Sequence, residues 1–504
     1  MLQNNLKIAW RNLLRNKAFS FINITGLAFG LTCCLLLVLY LNHELSYDRF
    51  HTKANRIVRV IMDYKIGDGG AKGNFTSTKV FPEFKRRFPE VEDGVRMSGG
   101  ERLVKYNEKN IQEKNFLFVD STFFKVFDFK LLSGTKDDVL KAPKMVVLSA
   151  STAKKYFADE NPIGKAMLIG SSEDHYFVNG IVEDCTANSQ IQYSMIASIS
   201  SFGPLQEETY SNANYTTYLL MNSASSLQPL QQKINALMKS ENEKSEFKLN
   251  FELEQFLKIH LHSPYDAFTP NSNIAYIYMI IAVALLILAI ACFTYINLST
   301  ARSSERAKEV GIRKVSGAYR LQLFWQFISE SFVLAGIAVL LSFILMMAAL
   351  PSFNELAGTQ LSYAAFGKPV VWGIAFLFVT VIALLAGSYP ALMLSGFQPS
   401  KVLKGAFKNS SSGTLLRKGL IVFQFVISVF LIISTFIIKD QLQMIQQKKL
   451  GYDRENVLIL DMDGKLNSKK ELIKTELLMI PSVKVVSTAY ESPVTIKGGY
   501  NMSG

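Results

Sequence analysis

IAYIYMIIAVALLILAIACFTYI, residues 274–296, runs for more than twenty positions without one charged side chain. A helix needs roughly 20 consecutive apolar residues to cross about 30 Å of hydrocarbon, whereas buried helices of a water-soluble core run to roughly 10–14. Four other stretches reach the same length, at residues 19–41, 323–350, 370–394 and 420–438. This uneven gathering of apolar residues in a chain of 504 decides the class: a multi-pass membrane protein whose spans form an α-helical bundle.

The formal net charge of +13 is explained by where the basic residues lie. Lys7, Arg11, Arg15 and Lys17 precede the first run with no acid among them, which sets the amino terminus in the cytoplasm. The second run then points inward, and Arg302, Arg306, Lys308, Arg313, Lys314 and Arg320 follow it against only Glu305 and Glu309. Lys401, Lys404, Lys408, Arg417 and Lys418 follow the fourth run, while 351–368 is nearly neutral. Orientation and attraction to anionic head groups account for these segments, so membrane lipid is the expected partner and nucleic acid is not. The first run is too long for a secretory signal and no small-residue cleavage site follows it, so it reads as an uncleaved anchor. Cys33, Cys34 and Cys292 fall inside runs, leaving Cys185 alone outside, without a partner for a disulfide or a metal spacing.

Residues 43–273 lie between the first two spans and predict an extracytoplasmic domain of the α+β type. Alternation at 56–64 predicts a strand, 80–88 a short helix and 145–148 a strand, with Ser149 or Ser151 capping a helix through Phe157. Phe116, Phe118, Phe123, Phe124, Phe127 and Phe129 are expected to supply a core. Asn161 to Lys165 reads as a turn, 176–182 as a strand, and 227–253 as a further helix and strand. Leu45-Ser46-Tyr47-Asp48-Arg49 after the first span is echoed by Leu450-Gly451-Tyr452-Asp453-Arg454 after the fifth, each ahead of a strand-like segment, 56–60 and 456–460. The echo predicts that a second half begins there and that the chain is the front part of a longer, duplicated protein.

No phosphate-binding loop of the Gly-x-x-x-x-Gly-Lys-Ser/Thr form occurs, and neither do the Gly-x-Ser-x-Gly turn or His-Glu-x-x-His, so no catalytic residue and no cofactor is expected. His260 and His262, near Glu254 and Asp266, are better read as an exposed linker than as a metal site. None of the runs carries a charge near its centre, which argues against a proton path. Thr25, Gly26 and Gly30 in the first run, and Ala386, Gly387 and Ser388 in the fourth, suit close helix packing.

The connection at 297–322 reads as a basic amphipathic helix, a break at Gly317 and the start of the third span. Glu309 and Arg313 form a favourable i,i+4 pair, and Ile312, Val315 and Tyr319 share one face. Such a helix either lies on the inner leaflet or serves as a handle for a cytoplasmic motor.

Arg306-Ala307-Lys308-Glu309-Val310-Gly311-Ile312-Arg313-Lys314-Val315-Ser316-Gly317-Ala318 resembles the loop signature of the FtsX-like permeases, the family that includes MacB- and LolC-type subunits. Asn5 to Lys17, Val147-Leu148-Ser149 with Asn161-Pro162-Ile163-Gly164-Lys165, and Ala386-Gly387-Ser388-Tyr389-Pro390-Ala391 are similar to further motifs of that family. Ala158 stands where glycine is usual and Gln190 where histidine is frequent; neither departure is expected to touch the mechanism.

The resemblance implies a cytoplasmic amphipathic segment at 1–18, spans at 19–41, 274–296, 323–350, 370–394 and 420–438, and a MacB-type periplasmic core at 43–273. It also implies a coupling loop at 297–322, a cytoplasmic linker at 395–419 and the start of a second periplasmic domain at 439–504. It implies an inner-membrane permease that is no enzyme itself, with a separate cytoplasmic ABC ATPase gripping Arg306, Glu309, Gly311, Arg313, Lys314 and Gly317. A periplasmic adaptor or outer-membrane partner is a further implied partner, and an amphipathic lipoprotein, peptide or drug the implied cargo. Regulation of cell-wall hydrolases, or ligand sensing by an anchored outer domain, are the alternatives.

Overall fold

In the computed structural model the described residues are 2–489, apart from 171, 203–207, 211–212, 244–246, 267, 302, 363–368, 396–410, 449–455, 461 and 463. The chain divides into a helical unit, residues 1–47 with 272–447, and a sheet unit, residues 48–271 with 448–504.

The helical unit contains helices Leu2–Arg15, Lys17–Leu45, Ile274–Ala301, Ser303–Val315, Arg320–Ala357, Pro369–Ser395 and Ser411–Gln447. Lys17–Leu45, Ile274–Ala301, Arg320–Ala357 and the stretch Arg417–Gln447 are long and apolar enough to cross a membrane. Pro369–Ser395 is a helix of 27 residues that contains the fourth apolar run. Apolar side chains on every face leave each of these helices without a polar side to turn to water, which is why they bundle or face lipid. Leu27, Ala28 and Leu31 pack against Ala335, Ala338, Val339 and Met346. A Cβ added at Gly30 would come 2.7 Å from Cβ of Ala291, so glycine there permits the close crossing of Lys17–Leu45 with Ile274–Ala301.

Inside the bundle Tyr295 Oη donates to Ser331 Oγ at 2.7 Å and Thr32 Oγ1 to the Ala28 carbonyl at 2.8 Å. An acid, Glu330, is buried in the bundle. It lies in the first third of the third run, away from the centre, which leaves the expectation of uncharged centres as it was.

Among the described residues the sheet unit holds eleven strands: β1 (Ile57–Ile66), β2 (Gly69–Gly73), β3 (Val91–Tyr106), β4 (Lys109–Val119), β5 (Leu131–Ser133), β6 (Met145–Ser149), β7 (Ala166–Ile169), β8 (Asp174–Val182), β9 (Met195–Ser198), β10 (Thr216–Met221) and β11 (Phe247–Gln255). Their order is β11-β1-β10-β3-β4-β9-β6-β8-β5, with β2 on β1 and β7 bridging β3 and β8. Most pairs are antiparallel, β1 with β11 in register from Val58 opposite Gln255 to Ile66 opposite Phe247. The pairs β4 with β9 and β6 with β8 are parallel. Helices cover the sheet, so the fold is a helical bundle plus an α+β unit.

The phenylalanines do not share one core. Alternation along β4 sends Phe116 and Phe118 to a cluster with Val146, Leu148, Tyr176 and Met195, while Leu117 and Val119 face the opposite side. On that opposite side Phe123, Phe124, Phe127 and Phe129 pack with them, all buried. Ser149 caps helix Ala150–Phe157 through its side chain, which accepts the Thr152 N–H. Helix Val80–Arg87 and helix Leu227–Asn242 also stand where the sequence pattern sets them.

The echoed motif at 450–454 lies outside the described residues. The strand expected after it does not form: 457–460 carries no ladder, and Val457, Leu458, Ile459 and Leu460 are exposed. A strand exists only where a neighbour takes its backbone N–H and C=O groups. β1, after the first copy, has β10, β11 and β2.

Candidate functional site

Helix Ser303–Val315 occupies the connection between two apolar helices, Ile274–Ala301 and Arg320–Ala357. Its end is built by hydrogen bonds: Ala318 N–H donates to the Arg313 carbonyl at 3.0 Å and Gly317 N–H to the Lys314 carbonyl at 3.1 Å. This Schellman arrangement requires a left-handed residue, and Gly317 supplies φ +95°. Arg313 Nη2 donates to Glu309 Oε1 at 2.6 Å and its Nη1 to Gln326 Oε1 at 2.7 Å, tying the helix to the first turns of Arg320–Ala357. Lys314 Nζ donates to the Ser395 carbonyl at 2.6 Å, a second tie, to the end of helix Pro369–Ser395.

Val310 is the buried contact, with Leu323, Phe327, Ile328 and Ala391, whereas Ile312, Val315 and Tyr319 are exposed at 59%, 67% and 75%. Those three residues share one face, as their spacing predicts, and it is a face that the neighbouring helices leave uncovered. Of the residues singled out in this segment, Glu309, Arg313, Lys314 and Gly317 stand as described, Gly311 is buried, and the Arg306 side chain lies outside the described residues. A Val at position 317 would have to adopt a backbone conformation that costs about 1–2 kcal/mol for an L side chain. Gly317→Val is therefore expected to raise hydrogen-exchange rates of the 313–318 amides by about tenfold, measured by mass spectrometry; unchanged rates would show that the turn does not depend on glycine.

Two clamps hold the sheet unit where the chain enters and leaves it. Asp48, three residues beyond helix Lys17–Leu45, is buried. Its carboxylate accepts Ser189 Oγ at 3.0 Å, the Gln190 backbone N–H at 3.2 Å and Gln190 Nε2 at 2.9 Å. Asp48 N–H in turn donates to the Asn188 carbonyl at 2.9 Å. Gln190, one of the two departures from the family pattern, is thus part of the clamp.

At the other end Arg59 of β1, fully buried, donates to Glu254 Oε2 at 2.7 Å, Ser263 Oγ at 2.8 Å and the Tyr265 carbonyl at 2.9 Å. Asn271 Nδ2 donates to the same Tyr265 carbonyl at 2.8 Å, which fixes the chain just ahead of helix Ile274–Ala301. Glu254 is therefore the ion partner of Arg59, not a metal ligand, and no group suited to a metal occurs among the described residues. His260 lies on helix Phe256–His262 and is buried, which overturns its reading as part of an exposed linker.

Burial pushes the Asp48 carboxyl up to about 6 against the opposing hydrogen bonds of Gln190 and Ser189 and the nearby His260. His51, packed on Phe127, Phe129 and Phe256 and accepting the Asp128 N–H at Nδ1, is pushed down to about 4, again by burial. An acid raised on folding stabilises the fold fully below its unfolded value of 3.8, and that contribution is lost as pH rises through about 6. A histidine lowered on folding does the reverse, losing stability as pH falls from 6.5 toward 4. The two offset each other across that window. Asp48→Asn removes one, so relative to the parent it should gain thermal stability between pH 4.5 and pH 7; a constant difference would contradict the assignment.

Comparison with known proteins matches residues 20–237 to the MacB-like periplasmic core domain and residues 281–399 to the FtsX-like permease C-terminal domain. The chain belongs to the FtsX/MacB-like ABC permeases. It is similar to the macrolide export ATP-binding/permease protein MacB of Vibrio parahaemolyticus, 24% identical over 56% of this chain and 42% of that one. It is also similar to the pyoverdine export ATP-binding/permease protein PvdT of Pseudomonas savastanoi pv. phaseolicola, 26% identical over 62% of this chain and 46% of that one. The chain thus spans less than half the length of these curated relatives. The crystal structure of the periplasmic region of MacB from Actinobacillus actinomycetemcomitans aligns with 38% of this chain and 87% of that one, at 21% identity and a TM-score of 0.26. As an FtsX/MacB-like permease with several helices fit to span a bilayer, the chain is a membrane protein.

Proposed function

We propose that this permease sits in the inner membrane with its amino terminus in the cytoplasm, and that a separate ABC ATPase grips helix Ser303–Val315 from the cytoplasmic side. The observation that carries this reading is the pairing of a fastened face with a bare one. Val310, Arg313 and Lys314 fasten the helix to its neighbours, while Ile312, Val315 and Tyr319 stand unburied beside the Glu309–Arg313 pair. A handle needs both properties: a face for the motor, and rigid ties that turn a push into movement of the bundle.

Motion would then leave the bundle through helices Lys17–Leu45 and Ile274–Ala301, whose chain ends run on to the Asp48 and Arg59 clamps of the sheet unit. In this reading the sheet unit faces the periplasm and moves an amphipathic cargo, a lipoprotein, peptide or drug, toward a periplasmic adaptor or outer-membrane partner. To shift a two-state element from 1:99 to 99:1 takes about 5.5 kcal/mol of differential binding, so nucleotide has to favour one arrangement of the motor and its handle strongly. Tagged chain purified from detergent-solubilised membranes of its own cells should bring down an ABC ATPase in near-equal amount. Recovery without any ATPase would overturn the coupling reading and favour the anchored sensor.

A further inference from the structure

A cavity of about 840 Å³ opens in the sheet unit, away from both clamps. Its wall combines Phe118, Phe202 and Tyr176 with two cations, Arg102 and Lys144, and Met462 and Leu466 from far along the chain complete the lining. The two cations differ in how they are satisfied. Lys144 pairs with Asp174 at 2.8 Å and lies 4.9 Å over the Tyr176 ring. Arg102, half-buried, lies 5.4 Å over the Phe118 ring and donates from Nη1 to the neighbouring Glu101 carbonyl at 2.7 Å. Among the described residues no carboxylate pairs with it.

A guanidinium offers five N–H donors in a planar fork that matches a carboxylate, and leaving it half-desolvated without one is costly. Burial pulls Arg102 below its ordinary range. Phe118 and Phe202 lie against each other behind it, ring centroids 4.3 Å apart and planes tilted by 44°, giving an apolar floor. A concave site with aromatic walls and one convergent charge is the usual form of a small-molecule site, and the volume suits a ligand of drug size.

We propose that this cavity binds a small aromatic carboxylate, its anion held by Arg102 and its ring on the Phe118 and Phe202 floor. Glu101 and Asp174 also border the cavity, and Asp174 is already taken by Lys144, so a ligand with a single negative charge fits better than a polyanion. The site rests on the sheet unit alone and not on ATPase coupling, since no nucleotide enters its test.

The test uses the full chain in lipid nanodiscs, titrated with dansyl-phenylalanine and, separately, with dansyl-phenylalaninamide, which keeps the rings and lacks the carboxylate. Saturable binding of the acid above that of empty nanodiscs, at least tenfold tighter than the amide, is expected. Arg102→Gln should erase that preference while leaving amide binding unchanged. If Arg102→Gln binds neither probe, Arg102→Lys decides, because a retained preference for the acid upholds the site and a lost one overturns it. Equal affinity of the parent chain for acid and amide, or no saturable signal, would also overturn it.

Discussion

Replacing Arg59 by leucine should destabilise the sheet unit by about 3–5 kcal/mol, the cost of leaving the other half of a buried ion pair without its partner. Arg59 is fully buried, and its fork serves Glu254, Ser263 and two backbone carbonyls, those of Tyr265 and Asp266. Leucine removes the charge that Glu254 pairs with, at the desolvation cost of a half-buried carboxylate, while Asn271 still serves the Tyr265 carbonyl. A domain of this size is stable by only about 5–15 kcal/mol in all, so the loss should lower its melting temperature by on the order of 10 °C. Arg59→Lys should rescue little, because one ammonium cannot reproduce a fork that meets several acceptors at fixed angles. Thermal unfolding followed by hydrogen exchange of β1 and β11 measures this. Parent-like stability of the leucine variant would mean that the clamp contributes nothing and that force does not pass through it.

The second large effect concerns the bare face of helix Ser303–Val315. Ile312→Asp combined with Val315→Asp should cut stimulation of the co-purified ATPase by at least tenfold while leaving membrane insertion and the helical unit intact. Both side chains are exposed, and surface substitutions away from caps and cores usually change stability by no more than about 0.5 kcal/mol. An aspartate pair, however, sets two unpaired charges into any apolar groove that would receive the helix. Reversing Glu309 and Arg313 together should act in the same direction. It also breaks the Arg313 bond to Gln326, so the handle loosens as well as changing sign. Full stimulation in both variants would remove this helix from the coupling path.

The membrane class was legible because apolar runs announce themselves without any long-range information, and the sheet unit's elements because Ser149, the 56–64 alternation and the 227–253 pattern are local signals. Contacts across the fold were not. Asp48 meets Ser189 and Gln190 across some 140 residues of chain, and Arg59 meets Glu254 across 195. Short-range reading instead grouped Glu254, His260, His262 and Asp266 by their nearness in sequence, although the fold gives Glu254 to Arg59 and buries His260 against the core. The division of the phenylalanines between two faces of β4 follows from strand periodicity once the strand's limits are known. The exposed side of helix Ser303–Val315 follows only from the helices around it. The cavity at Arg102 had no sequence signal at all, because its walls come from β3, β4, β7, β8, the turn before β6, the stretch after β9 and Met462 and Leu466 far along the chain.

The most direct test of coupling is a photo-reactive residue at Ile312 of the full chain in its native membrane, with the same residue at Tyr278 of helix Ile274–Ala301 as a control. After irradiation, an adduct with an ABC ATPase is expected at 312, its yield changing with bound nucleotide, and none at 278. An ATPase adduct absent from position 312, or equally abundant at both positions, would contradict it.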